Sequence, residues 1–220
     1  MTNETNIFNE ENEESKGIKL SREVVIQLAL ERIPFVGSSM STIYSSQKNE
    51  KRFKRLERFY QELYVEIGEI EKEIKPIKDH DEDSFFAIIE IINEKIEFEH
   101  SEEKIKFLRT FFRNTLISPI IKTNYDERKF FLESLYFMTL LECEILIKLS
   151  GNDDLIEVNK IELSGVDEYA IIGAIGRLKS YGYIRSTQPG MVLGVEVEYP
   201  KNESVGVTGF GRSFIKFCLD

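Results

Sequence analysis

The sequence predicts a mainly α-helical fold, with a helical bundle over residues 18–150 followed by a small α+β module over residues 151–220. Three observations lead to this prediction. Apolar residues recur at steps of three and four through residues 53–74, which is the period of a helix. A nearly continuous apolar run covers residues 130–149. The last part of the chain alternates apolar and polar residues, as strands do.

The first helices follow from start and stop signals. Residues 1–17 are rich in Glu and Asn and have little to bury, so we expect a disordered acidic tail. Ser21 can cap a first helix, which should stop before Pro34. A long second helix is predicted by an a/d heptad pattern, here called the heptad seam, and should end before Pro76. The seam consists of Phe53, Leu56, Tyr60, Leu63, Ile67, Ile70 and Ile74.

Three more helices are expected in the bundle. The helix from Asp81 to Phe98 has an apolar stripe that matches the heptad seam, and the short turn around Pro76 predicts an antiparallel return. The seam should therefore be covered mainly within one chain. Ser101 starts the next helix, which should end near Ile117. Residues 126–149 are apolar on nearly every side, so they predict one central helix surrounded by others.

The module at the C-terminus is expected to mix helix and strand. Ile156–Leu163 predicts a short strand and Val166–Tyr181 a helix. Two further segments, Val192–Tyr199 and Ser204–Val207, alternate as strands do.

Two motifs in this module belong together. Leu178 to Ile184 reads Leu-Lys-Ser-Tyr-Gly-Tyr-Ile, and Val207 to Gly211 reads Val-Thr-Gly-Phe-Gly. This order resembles the recognition helix and wing of winged-helix domains in many bacterial regulators. The resemblance implies a winged-helix-like module whose first helix is Phe131–Leu149 and whose recognition helix is Val166–Tyr181. It also implies a turn at Gly182 and a closing helix over Arg212–Leu219.

The chain departs from the winged-helix pattern at one element. Leu155–Leu163 is too short and too rich in β-branched residues for the usual second helix of such a domain. The module is also acidic, with seven basic and ten acidic residues in 151–220. DNA readers of this type need cations around the recognition helix, yet this helix begins Asp167-Glu168.

Positive charge is concentrated in two places. The basic cluster consists of Lys48, Lys51, Arg52, Lys54, Arg55 and Arg58, and the small patch consists of Arg177, Lys179 and Arg185. Either could contact nucleic acid or an acidic partner, and the alternative is a solvated helix face. With the apolar residues 33–44 beside it, the basic cluster could also approach a lipid headgroup surface. The Ile33–Gly37 hinge before this cluster loosely resembles uncharacterised bacterial helical proteins, which implies no activity.

Acidic residues around position 80 suggest a metal site only at first sight. Asp79, Asp81, Asp83 and Glu90 have the offsets of a calcium loop, but Ser84 stands where the loop needs glycine. We therefore expect the acidic run to cap the helix that follows.

Other titratable residues are expected to be structural. His80 and His100 should lie at the surface, in charged connections between helices. On the apolar helix, Glu142 and Glu144 cannot share a face, so at least one should reach solvent or a basic partner. We assign no catalytic, cofactor-binding or metal-binding residue.

Composition narrows the function. The net charge of −10 disfavours bulk binding to nucleic acid or anionic membranes. Two cysteines and no secretory pattern predict the cytoplasm. We expect a non-enzymatic interaction protein whose winged-helix-like module contacts protein. The alternatives are a dimeric DNA-binding transcriptional regulator and a peripheral membrane protein that binds through residues 24–58. A homodimer would use residues 18–46 or the module.

Overall fold

A computed structural model describes most of the chain. The described residues are 22–31, 47–152, 154–187 and 203–220. The predicted tail at 1–17, the apolar segment 33–44 and the strand expected at Val192–Tyr199 lie outside them. The described part is mainly helical, with eight α-helices and a three-stranded antiparallel sheet near the C-terminus, which confirms the predicted class at this level.

The chain divides into two compact units, Met1–Leu132 and Glu133–Asp220, called the first and second unit. The first unit contains α1 (Arg22–Glu31), α2 (Gln47–Ile70), α3 (Glu82–Phe98) and α4 (Glu102–Ile117). Helix α5 (Tyr125–Phe137) spans the boundary. The second unit continues with α6 (Leu140–Ser150), β1 (Ile156–Glu157), α7 (Glu168–Ser180), β2 (Ile184–Thr187), β3 (Ser204–Val207) and α8 (Gly209–Cys218).

Six of the seven residues of the heptad seam lie on α2. The helix ends at Ile70, earlier than the predicted end before Pro76, so Ile74 lies after it. The seam residues Leu56, Tyr60, Leu63, Ile67 and Ile74 are buried within the single chain, and Phe53 and Ile70 are half-buried. Helix α3 runs antiparallel beside α2, since the Tyr60 hydroxyl bonds to Asn93 and the Arg55 guanidinium donates to the Glu97 carbonyl. Phe59, outside the seam, is also buried, with its ring 6.4 Å from that of Phe112 on α4. Helix α2 therefore buries a wider face than a two-helix seam requires.

Local capping explains where α3 and α4 begin. The Asp81 carboxylate accepts hydrogen bonds from the Ser84 hydroxyl at 2.6 Å and the Ser84 backbone N–H at 3.3 Å. The Ser101 hydroxyl accepts from the Lys104 N–H at 3.2 Å. Both start signals are thus confirmed, because an N-cap side chain satisfies an otherwise orphaned backbone donor. The acidic run before α3 acts as the expected cap.

The prediction that His80 lies at the surface is wrong. Its side chain is buried, its ring centroid is 4.4 Å from that of Phe85, and its Nδ1 accepts a hydrogen bond from the Ile120 N–H at 3.3 Å. The backbone N–H of Asp81 donates to the Ile120 carbonyl at 2.7 Å. The connection before α5 therefore folds back over His80, which no local charge pattern reveals. His100 is exposed, as predicted.

The prediction of one helix over residues 126–149 is also wrong. Helix α5 ends at Phe137, and α6 begins at Leu140 with Thr139 as its N-cap. The Thr139 hydroxyl accepts from the Glu142 N–H at 3.3 Å, and the Thr139 N–H donates to the Glu142 carboxylate at 2.6 Å. This capping box offers a helix start inside a continuous apolar run, because it satisfies two backbone donors reciprocally.

The sheet is built around β3, which pairs antiparallel with β1 and β2. Ile184 pairs with Val207 and Thr187 with Ser204. The strand expected over residues 156–163 is shorter than predicted, since β1 ends at Glu157 and a 3-10 turn over Val158–Lys160 follows.

Glycines position the helices around this sheet. Gly182 has φ 75°, so the predicted turn after α7 is confirmed. Helix α8 begins at Gly209, earlier than the predicted Arg212, because the Thr208 hydroxyl caps it by accepting from the Gly211 N–H at 2.9 Å. A Cβ on Gly211 would lie 2.1 Å from the Tyr183 carbonyl oxygen, so only glycine allows this close approach. Tyr183 is itself buried and stacks on Phe214 at 4.2 Å.

Candidate interaction surfaces

Two members of the basic cluster of the first unit form ion pairs with neighbouring carboxylates. Lys54 pairs with Glu50 at 2.6 Å, and Arg58 pairs with Glu62 at 2.8 Å and Glu102 at 2.9 Å. Two of the six cations are therefore paired with carboxylates at the surface of their own unit.

The remaining members of the basic cluster differ in their surroundings. The Arg52 guanidinium lies 4.4 Å from the centre of the Phe98 ring, a cation–π geometry. Arg55 donates to the Glu97 carbonyl at the end of α3, where it satisfies a helix C-terminus. Lys51 is exposed and has no ion pair with any side chain that the structure describes. The side chain of Lys48 lies outside the described residues.

The small patch of the second unit is engaged in a similar way. The Arg177 Nε is 3.0 Å from the Glu142 carboxylate, and its guanidinium donates to the Phe137 carbonyl at 2.9 Å. The hydrogen bond that the Arg177 guanidinium donates to the Tyr181 hydroxyl oxygen, together with the nearby Glu142 charge, raises the pKa of Arg177, so it stays charged. Lys179 Nζ is 2.8 Å from both carboxylate oxygens of Glu203.

The third member of the small patch stands apart from these pairs. Arg185 is exposed on β2 and has no ion pair with any side chain in the described ranges. Two of the three cations of the small patch thus have a carboxylate partner among the described residues.

Two buried carboxylates organise these contacts. The Glu142 side chain is 1% exposed and serves both the capping box of α6 and the pair with Arg177. Glu144 on the same helix is exposed, so the expectation that at least one of the two reaches solvent or a basic partner is confirmed. The Glu203 side chain is also 1% exposed, yet sequence reasoning missed it. Its position after an alternating segment carries no signal of burial.

The outward face of α7 presents short side chains. Tyr169 is 68% exposed, and it is followed at helical spacing by Gly173, Gly176 and Ser180, all exposed. A Cβ on either glycine would meet no atom within 4 Å. Apart from Arg177, which is already paired, the exposed part of this face from Tyr169 to Ser180 carries no cation or amide side chain. A partner can approach the helix backbone closely here.

A groove of about 730 Å³ lies beside the first half of α7, on a different side of that helix. It is bounded by the connection from β1 to α7 and by the helix itself. Its lining residues are Val158, Asn159, Ile161, Glu162, Leu163, Ser164, Val166, Glu168, Ile171 and Ile172. The volume falls within the roughly 300–1,000 Å³ range of ligand sites.

Residue types that commonly carry chemistry are dispersed or buried in the part of the chain that the structure describes. No group of three His, Cys, Asp or Glu side chains there could hold a metal ion. Cys143 and Cys218 are free thiols and are both buried. Burial raises the pKa of Tyr183, whose hydroxyl bonds to Ser134. These groups stabilise the core of the second unit.

A further finding concerns membranes. Among the helices that the structure describes, none combines the length and apolar character needed to cross a bilayer.

In comparisons with protein-family models, with curated proteins and with solved structures, nothing matched this chain.

Proposed function

We propose that this chain is a non-enzymatic, cytoplasmic interaction protein, and that its second unit is a winged-helix-like module that contacts another protein. The exposed face of α7 is the observation that carries this proposal. Direct readout of DNA needs side chains that reach base edges, and Gly173 and Gly176 offer none. A flat helix face with one prominent tyrosine suits a protein partner, because tyrosine is enriched at the centre of such interfaces.

The order of elements supports the winged-helix-like part of the proposal. Helix α6, strand β1, helix α7 and the β2–β3 pair follow one another, and Gly182 turns the chain from α7 into β2. Helix α8 then closes the unit after Thr208. In place of the usual second helix there is the 3-10 turn over Val158–Lys160 and an open connection to Asp167.

The ion pairs weigh against the DNA-binding alternative. Phosphate contacts need cations that can exchange counterions for phosphate, and Arg177 and Lys179 already face carboxylates. The alternative remains a prediction that a gel-shift titration tests. Specific DNA binding whose logarithm falls steeply with log salt would favour it over the protein-contact proposal.

Affinity purification tests the protein-contact proposal directly. Tagged wild type, Gly173→Glu and Ser213→Glu chains are compared, and bound protein and nucleic acid are both quantified. Gly173→Glu places a long charged side chain on the open face of α7, whereas Ser213→Glu makes the same kind of change on the exposed side of α8. We expect a protein partner to be captured by wild type and Ser213→Glu and lost with Gly173→Glu.

Two outcomes contradict the proposal. One is a partner retained equally by Gly173→Glu and wild type, with circular dichroism showing that the variant is folded. The other is hydrolysis of nucleotides, nucleic acid or peptides by the purified chain at a rate that a point substitution abolishes. The first would remove the α7 face from the interface, and the second would make the chain an enzyme.

A further inference from the structure

Six of the ten residues that line the groove beside α7 are aliphatic, and the other four are polar or acidic. Val158, Ile161 and Ile171 form buried parts of its lining, so the floor is firmly packed into the second unit. Leu163 and Ile172 are only half-buried, so part of their apolar surface remains in water. Covering an open, concave apolar surface with another apolar group is favourable by about 25 cal/mol per Å² of apolar area removed from water.

No helix among the described residues covers the groove. Between β1 and α7 the chain makes one 3-10 turn and then a tight turn at Gly165, which has φ 77°. The Val166 N–H donates to the Leu163 carbonyl at 3.1 Å, which keeps this connection close to its own backbone. Among the described residues no helix fills this space, so a helix of another protein has room there.

Carboxylates outnumber cations at the rim of the groove, where Lys148 on α6 donates to the Glu162 backbone carbonyl at 2.7 Å. Glu162 and Glu168 both line it and are exposed, and none of the lining residues is basic. Asp167 lies next to this rim as the N-cap of α7. Carboxylates at the edge of an apolar groove attract a segment that places lysine or arginine beside its apolar face.

We propose that this groove binds an amphipathic helix of a partner protein, with apolar residues on one side and lysine or arginine at its edge. The proposal rests on the protein-contact function and adds the chemistry of the partner. Helix-in-groove binding uses apolar anchors at helical spacing, and the half-buried Leu163 and Ile172 supply the matching walls.

A second copy of this chain fits the groove poorly. The chain has a net charge of −10, so two copies repel each other. Its most basic helix, α2, already pairs Lys54 and Arg58 with carboxylates of its own unit. The charge complementarity therefore favours a different, basic partner.

Defined peptides test the inference. The probe is a fluorescein-labelled amphipathic peptide of leucine and lysine, about 14 residues or two heptads long. A shuffled peptide of the same composition lacks the apolar face, and a leucine–glutamate peptide reverses the charge. Binding to the full chain is measured by fluorescence anisotropy at an ionic strength of about 0.15 M, where surface charges are screened beyond roughly 8 Å.

Two charge-reversing substitutions distinguish peptide binding in the groove from general attraction of a basic peptide to an acidic protein. Glu162→Lys reverses one charge on the rim, and Glu144→Lys makes the same change at an exposed residue of α6 that does not line the groove. We expect the leucine–lysine peptide to bind wild type and Glu144→Lys equally and to bind Glu162→Lys at least about 10-fold more weakly, equivalent to about 1.4 kcal/mol. The shuffled and leucine–glutamate peptides should bind wild type at least about 10-fold more weakly than the probe.

Each contrary result overturns the groove inference. The inference is wrong if the leucine–lysine peptide does not bind, or if the shuffled peptide binds as tightly as it does. It is also wrong if Glu162→Lys and Glu144→Lys weaken peptide binding equally. Dimers that light scattering detects without peptide and that Glu162→Lys abolishes would also contradict it. The affinity purification distinguishes this failure from failure of the proposed function. If Gly173→Glu loses the partner and Glu162→Lys retains it, the protein contact stands and the groove is not its site.

Discussion

His80 is a buried neutral base that holds a backbone hydrogen bond. Burial lowers its pKa from 6.5 to about 4, although Asp79 acts in the opposite direction. Protonation would turn Nδ1 from an acceptor for the Ile120 N–H into a donor and would place a charge beside Phe85. The neutral form is therefore part of the folded state.

This arrangement predicts acid sensitivity. Because the folded pKa lies below the unfolded one, the stabilisation is complete above pH 6.5 and is lost as the pH falls toward about 4. The loss from this group is on the order of 3 kcal/mol. His80→Asn keeps an acceptor near the Nδ1 position without titrating, so urea unfolding should depend less on pH over this range. His100→Asn at the exposed histidine is the control, and an equal effect of both changes would contradict the assignment.

Two glycines at the start of α8 make a matched pair. A Cβ on Gly211 would lie 2.1 Å from the Tyr183 carbonyl oxygen, whereas a Cβ on Gly209 would meet nothing within 4 Å. Gly211→Ala should lower the free energy of unfolding by about 3 kcal/mol, because backbone must move. Gly209→Ala should leave it unchanged or raise it by about 0.4–1 kcal/mol. Thermal melts of both variants check this, and equal melting temperatures would show that the approach to Tyr183 is not tight.

The break between α5 and α6 depends on a local capping box. Thr139→Ala removes the side chain that accepts from the Glu142 N–H, so it should cost about 1 kcal/mol. Thr139→Ser retains the hydroxyl and should cost much less. Denaturant unfolding measures the difference between the two variants. A Thr139→Ala chain as stable as wild type would indicate that packing, and not capping, starts α6.

The open face of α7 carries a cost in helix stability. Gly173 and Gly176 lie in the helix interior with free space around each Cα, so Gly→Ala at either position should stabilise the chain by about 1 kcal/mol. Calorimetry or thermal melts test this directly. If these glycines allow close approach of a partner, the same substitutions weaken its capture. A loss of stability would instead mean that the face is already covered.

The heptad seam stabilises the first unit because it is buried within one chain. Leu63 is fully buried, and Val65 on the same helix is 65% exposed. Leu63→Asp should unfold the first unit, at a cost on the order of 3 kcal/mol or more for a buried unpaired charge. Val65→Asp should change stability by less than about 0.5 kcal/mol. Circular dichroism and light scattering report both, and a folded monomeric Leu63→Asp chain would mean that the seam joins two subunits.

Several elements could be read from nearby residues because their causes are local. The side chains of Asp81 and Ser101 cap the N-termini of α3 and α4, and Gly182 supplies the positive φ that ends α7. The Thr139-to-Glu142 capping box is also a local motif, but the continuous apolar pattern around it led to the prediction of one uninterrupted helix. A threonine followed three residues later by glutamate is a start signal even inside such a run.

The candidate site was less accessible to sequence reasoning. The charged residues of the basic cluster and the small patch are evident along the chain, but their partners are not. Lys179 meets Glu203 across 24 positions, and His80 meets Ile120 across 40. Such pairs depend on how helices and strands are brought together, so neither spacing nor composition predicts them.

Periodicity, caps and glycines in the amino-acid chain were sufficient for a mainly helical protein with a small strand-containing C-terminal part. Packing alone established that four of the nine cations in the basic cluster and the small patch pair with carboxylates, that His80 is buried, and that a groove edged by Glu162 and Glu168 lies open beside α7. The physical reason is the distance along the chain over which each kind of interaction acts. Helix period and capping act over about four residues, whereas ion pairs, burial and grooves arise between segments that only the folded chain makes neighbours.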